Sequence, residues 1–328
     1  MSQSLRGKDS ATFSAKALKE GNSGNRGNVM RKKMLKKVNE MDIEIKINFI
    51  KDLRNRIIED FEISNVYVEH KKLSDWDILY FHQYFVMRCI DIKPRKVHFS
   101  KEFEIGKKFK RTIKNIVSGF ENGDDMNVYI SKSVEKLNSV DPLLNDWGVY
   151  HLHLGDSIEE CTAYITRTKE LLFARITSED AYFIGIYKHG DWCRQEILKI
   201  LHDNWPESLE RYRLYGITGD NLSDNEIKNI RNFNGNYCLG MDDGTVYTSL
   251  GGGFTSSGHN MKIVMEVDVI LNMLTSYERH IKDNIQAFVH EIEMRNEYKV
   301  TYLDFQLVEF SKPFRVLEKN SGIIFNIP

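Results

Sequence analysis

Imidazoles, guanidinium groups and phenols crowd into residues 147–192, in what read as consecutive β-strands. The run Trp147-Gly148-Val149-Tyr150-His151-Leu152-His153-Leu154-Gly155 alternates as a β-strand does. Its period of two puts His151 and His153 on one face and Tyr150, Leu152 and Leu154 on the other. Two imidazoles on one face can ligate a metal, or one can act as a base while the other holds a phosphate. A metal would need a third ligand, and His189, Asp191 and Asp156 are the side chains on offer. The plainer reading packs one histidine in the core with its ring nitrogen bonded to backbone.

A second set follows: Arg167, Lys169, Arg175, Tyr187, Lys188 and His189. Residues 171–177 and 181–189 read as a hairpin around the polar tip Ser178-Glu179-Asp180. Strict alternation would align Phe183, Gly185, Tyr187 and His189 on one face, and Ile184, Ile186 and Lys188 on the other. Cleaving RNA without a metal takes a base for the 2′-hydroxyl, cations for the phosphorane and an acid for the leaving oxygen. Histidine, lysine, arginine and tyrosine suit those roles. Arg167 and Lys169 lie in the lead-in to the first hairpin strand, from which long cationic side chains reach phosphates. The alternative is a surface hairpin with ordinary charges.

Two further features could hold phosphate. One is the basic face Lys107, Lys108, Lys110, Arg111 and Lys114 of a helix whose apolar stripe is Phe109, Ile113, Ile116, Val117 and Phe120. No aromatic residue interleaves with these lysines as a base-stacking platform would require, and a solvated face is the commoner meaning of such a run. The other is Gly251-Gly252-Gly253 running through Thr255, Ser256 and Ser257 into a helix. There Gly252, Gly253, Ser256 and Ser257 would grip a substrate phosphate. It lacks the lysine of a P-loop and the spacing of a dinucleotide fingerprint, so a strand-to-helix connection competes with the phosphate reading.

The elements that must position these residues suggest an α+β protein. A mixed, mainly antiparallel sheet with packed helices is preceded by a small N-terminal helical or α+β subdomain. Residues 1–40, rich in Ser, Gly, Asn, Lys and Arg, read as a disordered basic arm. Residues 41–92 form the small subdomain, with a helix through Phe49, Leu53, Ile57 and Phe61, a short strand at 66–68 and a second helix capped by Ser74. Residues 93–328 form the main domain. Its expected elements include a strand at 95–100, a helix after Trp192 capped by Asp191 and stopped by Pro206, and a strand at 212–217. A helix capped by Ser223, a hairpin turning at Asp242-Asp243-Gly244, one long helix over 260–293 and terminal strands follow.

No apolar run approaches the roughly 20 residues that span a bilayer, and the N-terminus has no apolar signal core, so the expected place is the cytoplasm. Four widely spaced cysteines without a CxxC pair argue against a zinc ribbon or a disulfide framework. A net charge of −1 points to no partner by itself.

The Tyr150-His151-Leu152-His153 strand after Gly148, Arg167-Thr168-Lys169 before an apolar strand, a short turn, and a second apolar strand ending in Tyr187-Lys188-His189 together resemble the core sheet of the RelE/ParE superfamily of bacterial toxins. The likeness covers only residues 147–191, a double histidine is not part of the usual pattern, and this chain is several times longer than a typical member. It implies a ribonuclease face of Arg167, Lys169, Tyr187 and His189 with His151 and His153 beside it. The first reading is therefore an RNA-directed protein of the toxin or phage-defence kind, a metal-independent endoribonuclease without a cofactor. RNA and a neutralising protein are its partners, and it has no membrane association. A non-catalytic nucleic-acid or protein binding module is the alternative, and a metal-dependent hydrolase built on His151 and His153 the third.

Overall fold

The computed structural model describes residues 43–64, 66–160, 162–310 and 314–327; the arm expected over residues 1–40 lies outside them. In chain order the elements are β1 (Glu44–Ile47), α1 (Phe49–Ile63), α2 (Asp75–Arg88), β2 (Lys96–Phe99), α3 (Lys110–Asn122), α4 (Pro142–Trp147), β3 (Val149–His153), β4 (Glu170–Ile176) and β5 (Asp180–Lys188). They continue with α5 (Glu196–Asn204), β6 (Arg213–Leu214), α6 (Asp224–Asn232), β7 (Leu239–Gly240), β8 (Val246–Tyr247), α7 (Met261–Asp283), α8 (Ile285–Asn296), β9 (Tyr302–Glu309), β10 (Phe314–Glu318) and β11 (Ile323–Ile327). This is an α+β fold whose sheets are mixed and mainly antiparallel, as the sequence implied.

The described chain divides into two compact units, residues 58–268 and residues 43–57 with 269–328. The division therefore falls inside α1 and α7 rather than at the expected boundary between residues 92 and 93. Its cause is a parallel pairing that no local pattern announces: β1 lies beside β9, with Glu44 opposite Tyr302 and Ile47 opposite Phe305. In that smaller unit the sheet order is β1-β9-β10-β11, and Phe49, Leu274, Phe288, Ile292, Phe305 and Phe314 fill the core.

The larger unit carries every candidate residue named above that does chemistry. Its four-stranded sheet has the order β2-β5-β4-β3, with β2 parallel to β5 and the other pairs antiparallel. Leu152, Leu172, Ala174, Ala181 and Phe183 pack from one face onto Ile113, Ile116 and Phe120 of α3. From the other face Val149, Leu171, Phe173, Tyr182, Ile184 and Tyr187 pack onto Ile197, Leu198 and Leu201 of α5 and onto Trp205. Burying a large aliphatic or aromatic side chain contributes about 1.5–3 kcal/mol, so the two faces together fix the register on which the site depends.

Local chemistry explains the element ends. Capping boxes pair Ser74 with Asp77 and Ser223 with Glu226, as the sequence suggested. Asp191 does not cap the following helix: its Oδ2 accepts from the Lys188 N–H at 3.0 Å, and α5 starts five residues later. The strand expected at 66–68 does not form, the one expected at 212–217 pairs only over Arg213–Leu214, and the helix expected over 260–293 breaks at Asn284 into α7 and α8. Gly148, at φ +63°, turns the chain sharply from α4 into β3, a left-handed conformation that side chains resist. Among the described residues no helix is long and apolar enough to cross a membrane.

Candidate functional site

Two histidines stand against an indole at the end of the sheet, and a third lies beside one of them. On β3, His151 and His153 lie on the face shared with Val149, and their ring centroids are 6.5 Å apart. His151 is also 5.0 Å from the Trp192 ring, while His189, just past β5, stands edge-on to that ring at 4.9 Å. Trp192 in turn stacks on Phe173 at 5.5 Å, which fixes it to the sheet. The strand alternation read from the sequence thus places both β3 histidines correctly.

The lead-in to β4 is tied to the end of β3 through Thr168. Its Oγ1 accepts from the Leu154 N–H at 2.9 Å, and its own N–H points at Nδ1 of His153 at 3.4 Å. Arg167 is thereby held close enough to act electrostatically on His153. Burial pushes the His153 imidazole down to about 4, and the charges of His151, Arg167 and His189 push the same way. His153 is therefore neutral at pH 7, and the Thr168 contact assigns its proton to Nε2, making it a hydrogen-bond donor.

His151 has an acid behind it. Asp141 Oδ2 lies 3.3 Å from His151 Nδ1, close enough for an ion pair, although the atoms are not aligned as a hydrogen bond and Nδ1 has no other partner. With Nδ1 turned toward Asp141, Nε2 is the nitrogen left to take a proton. His189, Arg167 and Lys169 are exposed, His151 is half-buried and His153 is buried. The set therefore grades from packed interior to solvent.

Tyr187 does not join the set as an acid or base. Two residues before His189, it is 8% exposed and stacked on Phe173 at 4.8 Å, and burial raises its phenol above the ordinary range. Nor does it share a face with Phe183. The register slips between Phe173 and Ala174, a β-bulge that puts Phe183 in one core and Tyr187 in the other. One extra residue is enough to reverse an alternation read from sequence.

The basic segment lies at the same end of the sheet. Lys107, Lys108, Lys110, Arg111 and Lys114 are all exposed, and Lys108 reaches Glu170 at 3.7 Å. Glu170 stands opposite Lys188, and the His189 N–H donates to the Lys169 carbonyl at 2.8 Å. Lys108, in the turn before α3, therefore lies by the paired ends of β4 and β5, next to which His189 stands.

In the glycine loop the structure engages two of the backbone amides in packing. Gly251 and Gly253 donate their N–H groups to the carbonyls of Asp146 and Asn145, both at 2.8 Å. Gly251 sits so close to α4 that an added Cβ would come 1.8 Å from the Leu144 oxygen. Its glycines serve close packing. Ser257 Oγ bonds His259 Nδ1 at 2.8 Å, and the Ser256 carbonyl accepts from Asn234 at 3.4 Å. Asn260 completes the connection, accepting from the Ile263 N–H and donating to the Gly251 carbonyl.

Sequence reasoning missed a buried ion pair that supports the indole. Asp146 Oδ2 binds Nε of Arg231 at 2.8 Å and accepts from the Tyr237 hydroxyl, while Arg231 Nη1 donates to the Trp192 carbonyl. Arg231 also lies 4.2 Å from the Trp147 ring. Among the described residues no group of three His, Cys, Asp or Glu side chains is placed to hold a metal ion. No protein-family model matches this chain, and neither a curated protein nor a solved structure matches it at a significant level.

Proposed function

We propose that the protein is an RNA-directed endoribonuclease of the toxin or phage-defence kind, acting in the cytoplasm without a metal. The observation that carries this reading is that His151 and His189 both stand against the Trp192 ring, with His153 beside His151 and the charge of Arg167 acting on His153. In this scheme His151, with Asp141 behind it, takes the proton from a ribose 2′-hydroxyl. The freed oxygen forms a bond to phosphorus, and the P–O5′ bond breaks as protonated His189 gives its proton to the departing oxygen. Arg167, Lys169 and the Nε2–H of His153 offset the charge that builds on the non-bridging oxygens. The products are a 2′,3′-cyclic phosphate and a 5′-hydroxyl, so atoms and charge balance. The likeness to the RelE/ParE core agrees with this reading, although Tyr187 has no role in it, and a neutralising protein partner belongs to the same proposal.

A second reading, a nucleic-acid binding module without catalysis, is favoured by one observation. Lys107, Lys110, Arg111 and Lys114 are exposed and, among the described residues, unpaired with any carboxylate. Replacing His151 and His153 together by Ala, with folding checked by thermal melting, separates the two. Lost RNA degradation with retained RNA binding supports the nuclease. Unchanged behaviour supports the binding module.

A further inference from the structure

We propose that Arg175, Tyr212, Arg211 and Lys262 form a binding site for a phosphate-class oxyanion beside the glycine loop. Arg175 projects from β4 opposite Val149, and it is only 5% exposed. Its Nε is buried without a hydrogen-bond partner, and among the described residues no carboxylate lies within ion-pair distance of its guanidinium. A buried charge is ordinarily paired, because leaving it alone costs several kcal/mol. The group that Arg175 does meet is the Tyr212 ring, 5.1 Å from its guanidinium carbon.

Arg211 approaches that same ring, also at 5.1 Å, and it too has no carboxylate partner among the described residues. Lys262 completes the cluster: its Cβ packs where a side chain on Gly252 would be, and its ammonium reaches only Glu266, at 3.8 Å. Burial raises the Tyr212 phenol, yet the charge of Arg175 and its hydrogen bond to the phenol, with the charges of Arg211 and Lys262, more than offset this and hold it below the usual tyrosine range. A ring flanked by three cations, of which only Lys262 has a carboxylate in reach, is a field suited to an anion.

The site lies beside the glycine run that reads as a phosphate loop. The Arg175 Nη1 lies 3.1 Å, and the Leu250 carbonyl 3.3 Å, from where a Cβ on Gly148 would be, so the guanidinium stands where the loop begins. The Gly251 and Gly253 amides are used in packing, and the arginines beside the loop have no carboxylate partner among the described residues. Guanidinium groups and an ammonium select a phosphate or phosphate ester over a monovalent halide through charge-assisted hydrogen bonds. The site stands whether or not the histidine cluster cleaves RNA.

Calorimetric titration of the full chain with inorganic phosphate, at ionic strength held constant with chloride, tests the assignment. Expected is saturable one-to-one binding, weakened about tenfold by the exposed substitutions Arg211→Gln or Lys262→Gln and lost in Arg175→Gln that still melts cooperatively. A 5′-phosphorylated dinucleotide in a parallel titration distinguishes the sources. Tighter binding assigns the site to a nucleic-acid backbone, and equal affinity assigns it to a free phosphate. Heats no larger than those for chloride, or phosphate affinity unchanged in both exposed variants, would overturn the proposal.

Discussion

The two carboxylate oxygens of Asp141 face different tasks: Oδ1 accepts from the Leu144 N–H at 3.0 Å to cap α4, and Oδ2 lies 3.3 Å from Nδ1 of His151. Asparagine keeps the cap and removes the charge. Asp141→Asn is therefore expected to leave stability within a few tenths of a kcal/mol and to lower RNA cleavage about tenfold or more. Asp141→Ala should also lose about 1 kcal/mol of stability. Melting curves and initial cleavage rates on the two variants separate cap from chemistry, and an Asn variant with full activity would reduce Asp141 to a cap.

Stability should fall as the solution is acidified through a definite window. Burial, reinforced for His153 by its charged neighbours, holds both His82 and His153 down to about 4, against about 6.5 in an unfolded chain. Between those values the unfolded state binds more protons, so stability present above pH 6.5 is lost on the way to pH 4. Each histidine contributes a slope of up to about 1.4 kcal/mol per pH unit. Urea unfolding at pH 7 and pH 5 measures it. His153→Gln should flatten the dependence by one proton, and an unchanged slope would mean that His153 titrates normally.

Tyr187→Phe is expected to change neither activity beyond about twofold nor stability beyond about 0.5 kcal/mol, because the phenol edge takes no part in the histidine cluster and the ring packing on Phe173 is kept. Gly185→Ala, by contrast, would bring a methyl group 2.9 Å from the Tyr187 ring and is expected to destabilise by about 1–3 kcal/mol. A large loss of cleavage in a folded Tyr187→Phe protein would restore the tyrosine to the chemistry.

Breaking the Asp146–Arg231 pair should be costly, since the two side chains are 6% and 3% exposed and the survivor would be a lone buried charge. Arg231→Ala is expected to cost about 3–5 kcal/mol in urea unfolding. Because Arg231 also holds the Trp192 carbonyl, indole fluorescence in the native state should change as well. A cost below about 1 kcal/mol would mean that the pair does not anchor this region.

What the sequence made legible was local. Ser74 and Ser223 announce their helices because a capping box closes within four residues, and His151 and His153 share a face because β3 is regular. What it hid was either distant or irregular. Lys46 and Asp304 bond at 2.8 Å across 258 positions, and with them the parallel β1 and β9 that redraw the domain boundary. The bulge opposite Phe173 moved Tyr187 into the core, and no residue type marks it. Asp141 caps α4 beside Pro142, and its second contact depends on where β3 returns. In the glycine loop the sequence could not separate two roles, because close packing, which Gly251 serves, and phosphate binding ask for the same residue.

The most direct measurement is end-group analysis of RNA incubated with the purified full chain in excess chelator. Cleavage is expected to persist there, to leave 2′,3′-cyclic phosphate ends, and to fall at least about 100-fold when His151 and His189 are both replaced by Ala in a protein that still melts cooperatively. Intact RNA with the native chain, or cleavage undiminished in that folded double variant, would contradict it.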